Sequence, residues 1–484
     1  MKIEVEVISK EIIKPSSPTP NHLRRYQFSY LDQISSPVYS SLVLFFESNR
    51  KTQPNITEIS NHLKKSLAEV LTLYYPLAGR AKDELCIDCN DEGIPYLEAH
   101  VNNCKLSDVL CNPIPGELTK LVPFELDDVD NKIPLGVQLN VFECGGFAIG
   151  QCISHKIADG LSMLMFSKAW ATTARRALGD LRAKVERPQF VSATLFPPKL
   201  FTQLPDARIS VARNKVTKRF VFDASNIEDL RAKYEGIHKN QMIRRPSRVE
   251  TLSTFISSRF AAVTKYEKLH SAVLVVNLRP RFDPPLPLHS FGNLASGVAT
   301  APSLLNTRGE SYGLVRQIRE GISRIDKAYI KKLQEGAEHM CDRSLAGKEV
   351  AASIYTSLCK FPLYDNDFGW DRPSWVSVGV PGIDNDLVLF VDTRDSDGIE
   401  AYITSPMEVM TKLESDTKFL GQVRPIWVGS GLSSTHHRPH LQMSGHRGNR
   451  PSMIKKPTAQ TKPVTWGARS VKLFDLAVKV LKKK

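Results

Sequence analysis

The sequence lacks the segments that mark secreted and membrane-spanning proteins. No run in its 484 residues approaches the roughly 18 consecutive apolar residues that a membrane-spanning helix needs. Residues 1–7 alternate polar and apolar side chains and carry acidic groups early. A signal peptide would instead begin with basic residues and continue with an apolar run. We therefore predict a first β-strand at residues 1–7 and expect a cytoplasmic protein.

Cysteine is scarce, because eight residues in a chain of this length are too few for a disulfide scaffold. Cys86 and Cys89 do form a C-x-x-C pair. A redox or zinc site would need a helix start after the pair or a second pair. The pair instead lies in a strand-like segment that runs into a turn at residues 90–93. We therefore assign no redox role and no metal to it.

Motifs of two large enzyme classes are also missing. The chain contains no G-x-S-x-G elbow of a serine hydrolase and no G-x-x-x-x-G-K-[ST] loop for nucleotide phosphates. No cysteine stands in a recognisable nucleophile context. The sequence therefore argues against a hydrolase with a covalent intermediate and against a phosphate-loop enzyme.

The net charge of +14 is concentrated at one end of the chain. Residues 421–484 hold thirteen Lys and Arg and one acidic residue, a net charge of +12, which leaves +2 for the first 420 residues. This tail is rich in Gly, Ser, His, Arg and Pro, a composition typical of disorder. Its three clustered histidines could bind a metal, and its charge could bind nucleic acid or a membrane surface. We favour a solvated tail without a specific partner. The clustered histidines are His436, His437 and His440.

The rest of the chain mixes strand and helix patterns without strict alternation, which predicts mixed α/β layers. Residues 55–73 and 161–170 have helical spacing of apolar residues, whereas residues 137–142 and 387–391 have strand character. A proline-containing stretch at 188–214 is a candidate linker. We therefore expect a first domain at 1–187, a linker at 188–214, a second domain at 215–420 and the tail at 421–484.

The stretch around His155 carries the clearest chemical signal. An apolar strand pattern ends at Ser154, a helical pattern opens near Gly160, and Asp159 follows the histidine by four residues. A neutral imidazole can take the proton of an alcohol while the oxygen attacks an activated acyl group. The spacing alone fits a second hypothesis equally well, in which His155 is buried and bonded to main chain and Asp159 caps the helix.

Six sequence blocks in a fixed order give a resemblance to a known family. His155-Lys156-Ile157-Ala158-Asp159 matches an HxxxD motif, and Asp367-Phe368-Gly369-Trp370 matches four of the five residues of a DFGWG motif. Together these blocks resemble the BAHD family of plant acyl-CoA-dependent acyltransferases, in particular its alkaloid branch, along residues 1–420. The other four blocks are Ser29–Gln33, Tyr75–Arg80, Asn277–Arg281 and Ser290–Asn293.

The resemblance implies a fold and a set of roles. It implies two chloramphenicol-acetyltransferase-like domains of similar size, joined by a crossover loop, with a channel at their interface that admits acyl-CoA from one face and the acceptor from the other. His155 would be the general base, and Asp159 would pair with Arg279 as structural support rather than complete a relay. No metal would be needed, and the protein would be a monomer. The segment expected to approach the coenzyme is Ser290, Phe291, Gly292 and Asn293, and the loop expected to sustain the coenzyme-binding architecture contains Asp367, Gly369 and Trp370.

Two departures from the family pattern bear on activity. The last glycine of the DFGWG motif is Asp371 here, which is unfavourable if the position requires a positive φ. Residues 421–484 have no counterpart in the family pattern. The leading hypothesis is acetyl transfer from acetyl-CoA to a hydroxyl of an alkaloid-like specialised metabolite. The alternatives are transfer to an amine, or an impaired paralogue that acts as a binding protein.

Overall fold

The computed structural model describes residues 2–48, 55–199, 212, 214–235, 245–264, 269–301, 311–336 and 350–424. They all belong to one compact unit, Met1–Trp427. The basic tail beyond residue 424 and most of the candidate linker, 200–211 and 213, lie outside the described residues. None of the helices described is both long enough and apolar enough to cross a bilayer.

The first of two six-stranded sheets is built mainly from the N-terminal half of the chain. Its strand order is β1-β6-β7-β8-β3-β13, antiparallel except for the parallel pair β6 and β7. A small sheet with the order β2-β5-β4 lies in the same half. The strands are β1 (Val5–Ile13), β2 (Arg25–Gln27), β3 (Tyr39–Phe46), β4 (Arg80–Ala81), β5 (Cys86–Asp88), β6 (Ile94–Val101), β7 (Leu135–Phe142), β8 (Phe147–Ser154) and β13 (Trp375–Gly379).

The second sheet is built from residues beyond the linker. Its order is β11-β10-β12-β14-β15-β9, with β10, β12 and β14 parallel at its centre. Together with the helices, the two sheets confirm the predicted mixed α/β class. The strands are β9 (Lys215–Phe222), β10 (Leu269–Asn277), β11 (Ala295–Ala299), β12 (Val350–Ser357), β14 (Asp386–Asp392) and β15 (Ile399–Pro406).

Twelve α-helices occur among the described residues, and the two longest, Ile56–Leu73 and Gly160–Ala177, begin at side-chain caps. The helix α2 begins after Asn55, whose side chain accepts from the N–H of Glu58 in a capping box. Its apolar face is buried and packs against α5. The helices are α1 (Tyr30–Ile34), α2 (Ile56–Leu73), α3 (Leu106–Cys111), α4 (Pro115–Leu118), α5 (Gly160–Ala177), α6 (Ser192–Leu195), α7 (Ala224–Glu235), α8 (Arg248–Thr264), α9 (Ser311–Arg324), α10 (Lys327–Gln334), α11 (Met407–Leu413) and α12 (Thr417–Leu420).

One strand links the two halves of the chain. The strand β13 follows β12 in sequence but pairs with β3 of the first sheet, where Trp375 lies opposite Phe45. The Trp375 indole N–H donates to Glu400 of β15 at 3.2 Å, so the exchanged strand is also bonded to the second sheet. The domain limits 1–187 and 215–420 stay a prediction, and β13 shows that the second range contributes a strand to the first sheet.

Candidate active site

His155 lies where β8 gives way to the loop before α5. Its backbone N–H donates to the carbonyl of Val38 at 2.8 Å, beside the start of β3. Its carbonyl accepts from the side-chain amide of Asn293 at 2.9 Å. The imidazole is half-buried, and its Nδ1 atom is buried without a hydrogen-bond partner in the described part of the chain. The backbone of His155 is thus fixed on both sides, while its ring is not engaged at Nδ1.

Asp159 and Arg279 form a buried ion pair one helical turn from the histidine. The guanidinium Nη1 and Nη2 atoms lie 2.8 and 3.1 Å from the two carboxylate oxygens of Asp159. The same carboxylate accepts the backbone N–H groups of Ser162 and Leu294, at 2.8 and 3.0 Å. Asp159 therefore caps α5 and pairs with Arg279 at once, and its described partners do not include the ring of His155.

The electrostatics of Asp159 follow from its partners. Burial raises the pKa of a carboxyl group, but the charge of Arg279 and the hydrogen bonds from Arg279, Ser162 and Leu294 outweigh it. The pKa of Asp159 is therefore held below its usual range. Arg279 is only 1% exposed and depends on this carboxylate for its neutralisation.

The segment Ser290–Asn293 is held against the loop of His155. The Nε and Nη2 atoms of Arg279 donate to the carbonyl of Ser290 at 3.0 and 2.8 Å. Gly292 has φ of +126°, and a Cβ there would lie 2.7 Å from the hydroxyl of Ser192, so glycine is required on both grounds. The ring of Phe291 is buried against Tyr74 and Phe190. The expected approach of this segment to the coenzyme stays a prediction.

Asp32 is a site residue to which the sequence alone gave no role. It is fully buried and accepts four hydrogen bonds, from the N–H and hydroxyl of Ser29 and from the N–H and side-chain amide of Asn293. Burial raises its pKa, and these bonds offset part of that rise. The pattern Ser29-x-x-Asp32 is a capping-box signature and could have located the helix start, but not the contact with Asn293.

The DFGW loop lies at the other end of α5 from the histidine. Asp367 contacts Arg175 at 3.4 Å, near the end of this helix. At about 1.5 Å per residue, Arg175 is about 22 Å along the helix from Gly160. Phe368 and Trp370 are stacked, with ring centroids 6.2 Å apart. The loop is thus remote from His155.

The backbone of this loop has positive φ angles at two positions, one of which is Asp371. Asp371 has φ of +91° and Gly369 has φ of +106°, both in the region that favours glycine. At Gly369 a Cβ would also lie 2.4 Å from a terminal carbon of Leu178. The aspartate therefore occupies a position whose conformation suits the glycine of the family motif.

A cavity of about 860 Å³ lies between the two sheets. Ser41 on its wall pairs with Cys152, three residues before His155, so the wall begins about 10 Å along the strand direction from the histidine. His155 itself is not on the wall. Residues of both sheets line the cavity, among them Ser41, Val43, Phe220, Ser377, Leu389 and Tyr402.

The cations that the described residues contribute to the cavity wall are paired with carboxylates. Lys218 lies 2.5 Å from Glu414, and Arg219 lies 2.6 Å from Glu400. The Lys215 side chain is 5% exposed and its Nζ atom lies 3.6 Å from Asp386, and burial lowers its pKa against the pull of that carboxylate. These side chains offer little free positive charge to an anionic molecule.

The cysteine pair has the electrostatics of structural thiols. Cys86 and Cys89 are both free and buried, and burial raises both thiol pKa values, that of Cys89 to about 12. Reactive thiols need a lowered pKa. In the part of the chain that the structure describes, no three His, Cys, Asp or Glu side chains cluster as a metal site would.

Comparison with known proteins identifies the family of the chain. A family model described as the transferase family matches residues 3–420. A limonoid 21-O-acetyltransferase from Melia azedarach is 36% identical over 438 residues, 87% of this chain and 99% of that protein. Stemmadenine O-acetyltransferase from Catharanthus roseus is 34% identical over 86% of this chain and 97% of its own length. Vinorine synthase from Rauvolfia serpentina is 34% identical over 86% and 99%.

Solved structures give the same result for the fold. The crystal structure of vinorine synthase superposes with a TM-score of 0.74 at 33% identity, covering 87% of this chain and 98% of that one. TRI101 from F. sporotrichioides, solved with coenzyme A and T-2, has a TM-score of 0.62 at 16% identity, over 83% and 99%, which bears on the fold alone. The two-domain mixed α/β fold is confirmed. The chain belongs to this transferase family, the BAHD acyltransferases, and is therefore an acyltransferase.

Proposed function

We propose that the protein transfers an acetyl group from acetyl-CoA to a hydroxyl of a specialised metabolite of alkaloid or terpenoid type, with His155 as the general base. The observation that carries the proposal is the placement of His155, whose backbone is fixed at a strand end and whose Nδ1 atom has no partner among the described residues. The named relatives support the acetyl donor and the hydroxyl acceptor, because they are O-acetyltransferases of limonoids and of stemmadenine.

The proposed chemistry needs one base and no covalent enzyme intermediate. Because Nδ1 of His155 is buried, Nε2 is the nitrogen that meets the acceptor hydroxyl. It takes the hydroxyl proton as the oxygen attacks the thioester carbonyl. The carbon–sulfur bond then breaks, and the coenzyme leaves as a thiol after receiving the proton from the imidazolium. Asp159 and Arg279 support the loop and take no part in proton transfer.

The cavity between the sheets is our candidate for the acceptor site. Its volume of about 860 Å³ lies within the usual range for sites of drug-sized ligands, about 300–1,000 Å³. Apolar side chains such as Val43 and Leu389 line it, and its cations are paired with carboxylates. An uncharged polycyclic alcohol fits this chemistry better than the phosphates of coenzyme A. The coenzyme would then reach His155 from another side.

A second candidate function is suggested by Asp371. Its φ of +91° places a strained residue where the family motif has glycine, which favours a weakened enzyme that binds ligands without turnover. Transfer to an amine is the remaining alternative, because a general base would assist nitrogen attack in the same way. We also propose that the protein acts in the cytoplasm as a monomer, without a nucleic-acid partner.

The test is coenzyme A thiol release from acetyl-CoA with separate panels of alkaloid alcohols, terpenoid alcohols and amines. Wild type should release thiol only with an alcohol, His155→Ala should lose at least about 100-fold of that rate, and the exposed-histidine control His22→Ala should keep it. Thiol release with amines alone would show that the acceptor group is an amine and not a hydroxyl. No release from folded protein with any acyl-CoA would favour the binding protein, and Asp371→Gly would then be tested for recovered turnover.

A further inference from the structure

The carboxylate of Asp32 is buried without a counter-ion. It is 0% exposed, and among the described residues its pKa is set by burial and by hydrogen bonds from Ser29 and Asn293, not by a cation. Four N–H or O–H donors surround it instead, at 2.7–2.9 Å, two from Ser29 and two from Asn293. A carboxylate that accepts four such bonds is satisfied in its ionised form.

Asn293 carries the constraint from Asp32 to the histidine. Its side-chain nitrogen lies 2.9 Å from Oδ1 of Asp32 and 2.9 Å from the carbonyl oxygen of His155. Because an ionised carboxylate only accepts hydrogen bonds, it selects the amide orientation that points the NH2 group toward it. The second hydrogen of that group is then available to the carbonyl of His155. The backbone N–H of His155, bonded to Val38, fixes the opposite side of the same residue.

A contribution to folding stability does not explain why the ionised carboxylate of Asp32 is buried here. Burial raises the pKa of Asp32 above its unfolded value. A carboxyl group with a raised folded pKa contributes stability at low pH and loses it as the pH rises through the folded pKa. At neutral pH the ionised carboxylate therefore costs folding free energy, and such a cost is typical of groups placed for function.

We propose that Asp32 is a positioning residue for acyl transfer, which acts through Asn293 to fix the peptide of His155 and so the direction of its imidazole. This proposal rests on the proposed function, in which His155 is the base. The carboxylate itself would touch neither substrate. Removing it would loosen the base while leaving the acceptor cavity and the Asp159–Arg279 pair in place.

The test measures kcat, KM and melting temperature for Asp32→Asn, Asn293→Ala and the double variant. We expect kcat to fall about 10- to 100-fold in each single variant, as for other groups that orient a functional ligand or base. The KM for acyl-CoA and for the acceptor should stay within about twofold. Because both residues act through one contact, the double variant should lose no more than the worse single variant.

Two control variants separate positioning from general stability. Asn55→Ala removes a helix cap of the same kind at the start of α2, away from Asp32, so it should lower the melting temperature and keep kcat within about twofold. Asp91→Asn changes a carboxylate that accepts two bonds from Thr19 in another part of the fold, and should also keep kcat. All rates are taken well below each melting temperature.

Each outcome decides the proposal. A fall in kcat confined to Asp32→Asn and Asn293→Ala supports it. An equal fall in Asn55→Ala, a rise in KM at unchanged kcat, or losses that multiply in the double variant would overturn it. If Asp32→Asn does not fold, the contrast between Asn293→Ala and Asn55→Ala decides alone. An inactive wild type would instead refute the proposed function.

Discussion

Arg279 and Asp159 are 120 residues apart in the chain and form a two-pronged ion pair between the loop after β10 and the start of α5. Arg279 also donates to the carbonyls of Ser290 and Gly292. One guanidinium therefore ties together the loop of His155 and the segment that carries Asn293. Among the described residues this pair makes no hydrogen bond to the imidazole, so its contribution to activity comes through the stability of these loops.

Breaking the pair from one side should be far more harmful than removing both charges. Arg279→Met leaves the carboxylate of Asp159 buried without its cation, and we expect a loss of about 3–5 kcal/mol in the free energy of unfolding. The double variant Arg279→Met with Asp159→Leu should recover part of this loss, because no unpaired charge remains. Urea unfolding of Arg279→Met, Asp159→Leu, the double variant and the wild type measures these values. A double variant as unstable as the sum of its single variants would contradict the pairing.

The stabilisation that this pair contributes should be lost at acidic pH. Because the pKa of Asp159 is lowered in the folded protein, its contribution is present above the unfolded carboxyl value of about 3.9 and is lost as the pH falls through the lower folded value. Wild type should therefore lose this share of its stability only below about pH 4. The Arg279→Met variant should show a smaller loss over that range, as measured by urea unfolding at each pH.

Asp371→Gly should stabilise the protein slightly. The strain of a residue with a side chain at φ of +91° costs about 1–2 kcal/mol, and less for aspartate. Glycine removes this strain, but its greater conformational entropy in the unfolded chain offsets up to about 1 kcal/mol of the stabilisation. The net change expected is about 0.5 kcal/mol, seen as a small rise in melting temperature by calorimetry. The neighbouring control Arg372→Gly, where φ is not positive, should instead be destabilised. A fall in melting temperature for Asp371→Gly would show that the aspartate side chain outweighs the strain.

Gly369→Ala should destabilise the protein without slowing catalysis below the melting transition. The methyl group meets both a φ of +106° and a terminal carbon of Leu178 at 2.4 Å, but Leu178 is 55% exposed and can rotate away. The backbone cost of about 1–2 kcal/mol should therefore dominate. Gly179→Ala is the matched control, because Gly179 has φ of +100° and no heavy atom within 4 Å of the new methyl. A kcat that falls in Gly369→Ala alone would give the loop a closer link to the site.

Local sequence signals predicted much of this fold because they reside in consecutive residues. The helix at 55–73, the strand before His155 and the helix after it follow from apolar spacing and from caps such as Asn55 and Asp159. The pairing of Asp159 with Arg279 was implied only by the family resemblance. A salt bridge across 120 residues leaves no periodic trace in either segment.

The parts that the sequence did not predict depend on distant contacts. The exchange of β13 onto β3 joins residues more than 300 positions apart, and its five residues give no hint of their partner. The same holds for Asp32, which looks like an ordinary capping residue until Asn293 is placed beside it. The positive φ at Asp371 was only a conditional expectation, because backbone angles cannot be read directly from a sequence.

A buried histidine in the second sheet should govern the response of the protein to mild acid. Burial lowers the pKa of His270 to about 4, and its Nε2 lies 3.0 Å from the hydroxyl of Ser353. Between about pH 6.5 and 4 the unfolded chain takes up a proton at this residue that the folded protein refuses, so stability present above pH 6.5 is lost as the pH falls. His270→Gln keeps a polar group beside Ser353 and should remove up to about 3 kcal/mol of this acid-dependent loss. Urea unfolding at pH 7.5, 6, 5 and 4.5 measures it, with the exposed His22→Gln as the control that should keep the wild-type slope. Parallel pH curves for His270→Gln and wild type would show that another group sets the acid response.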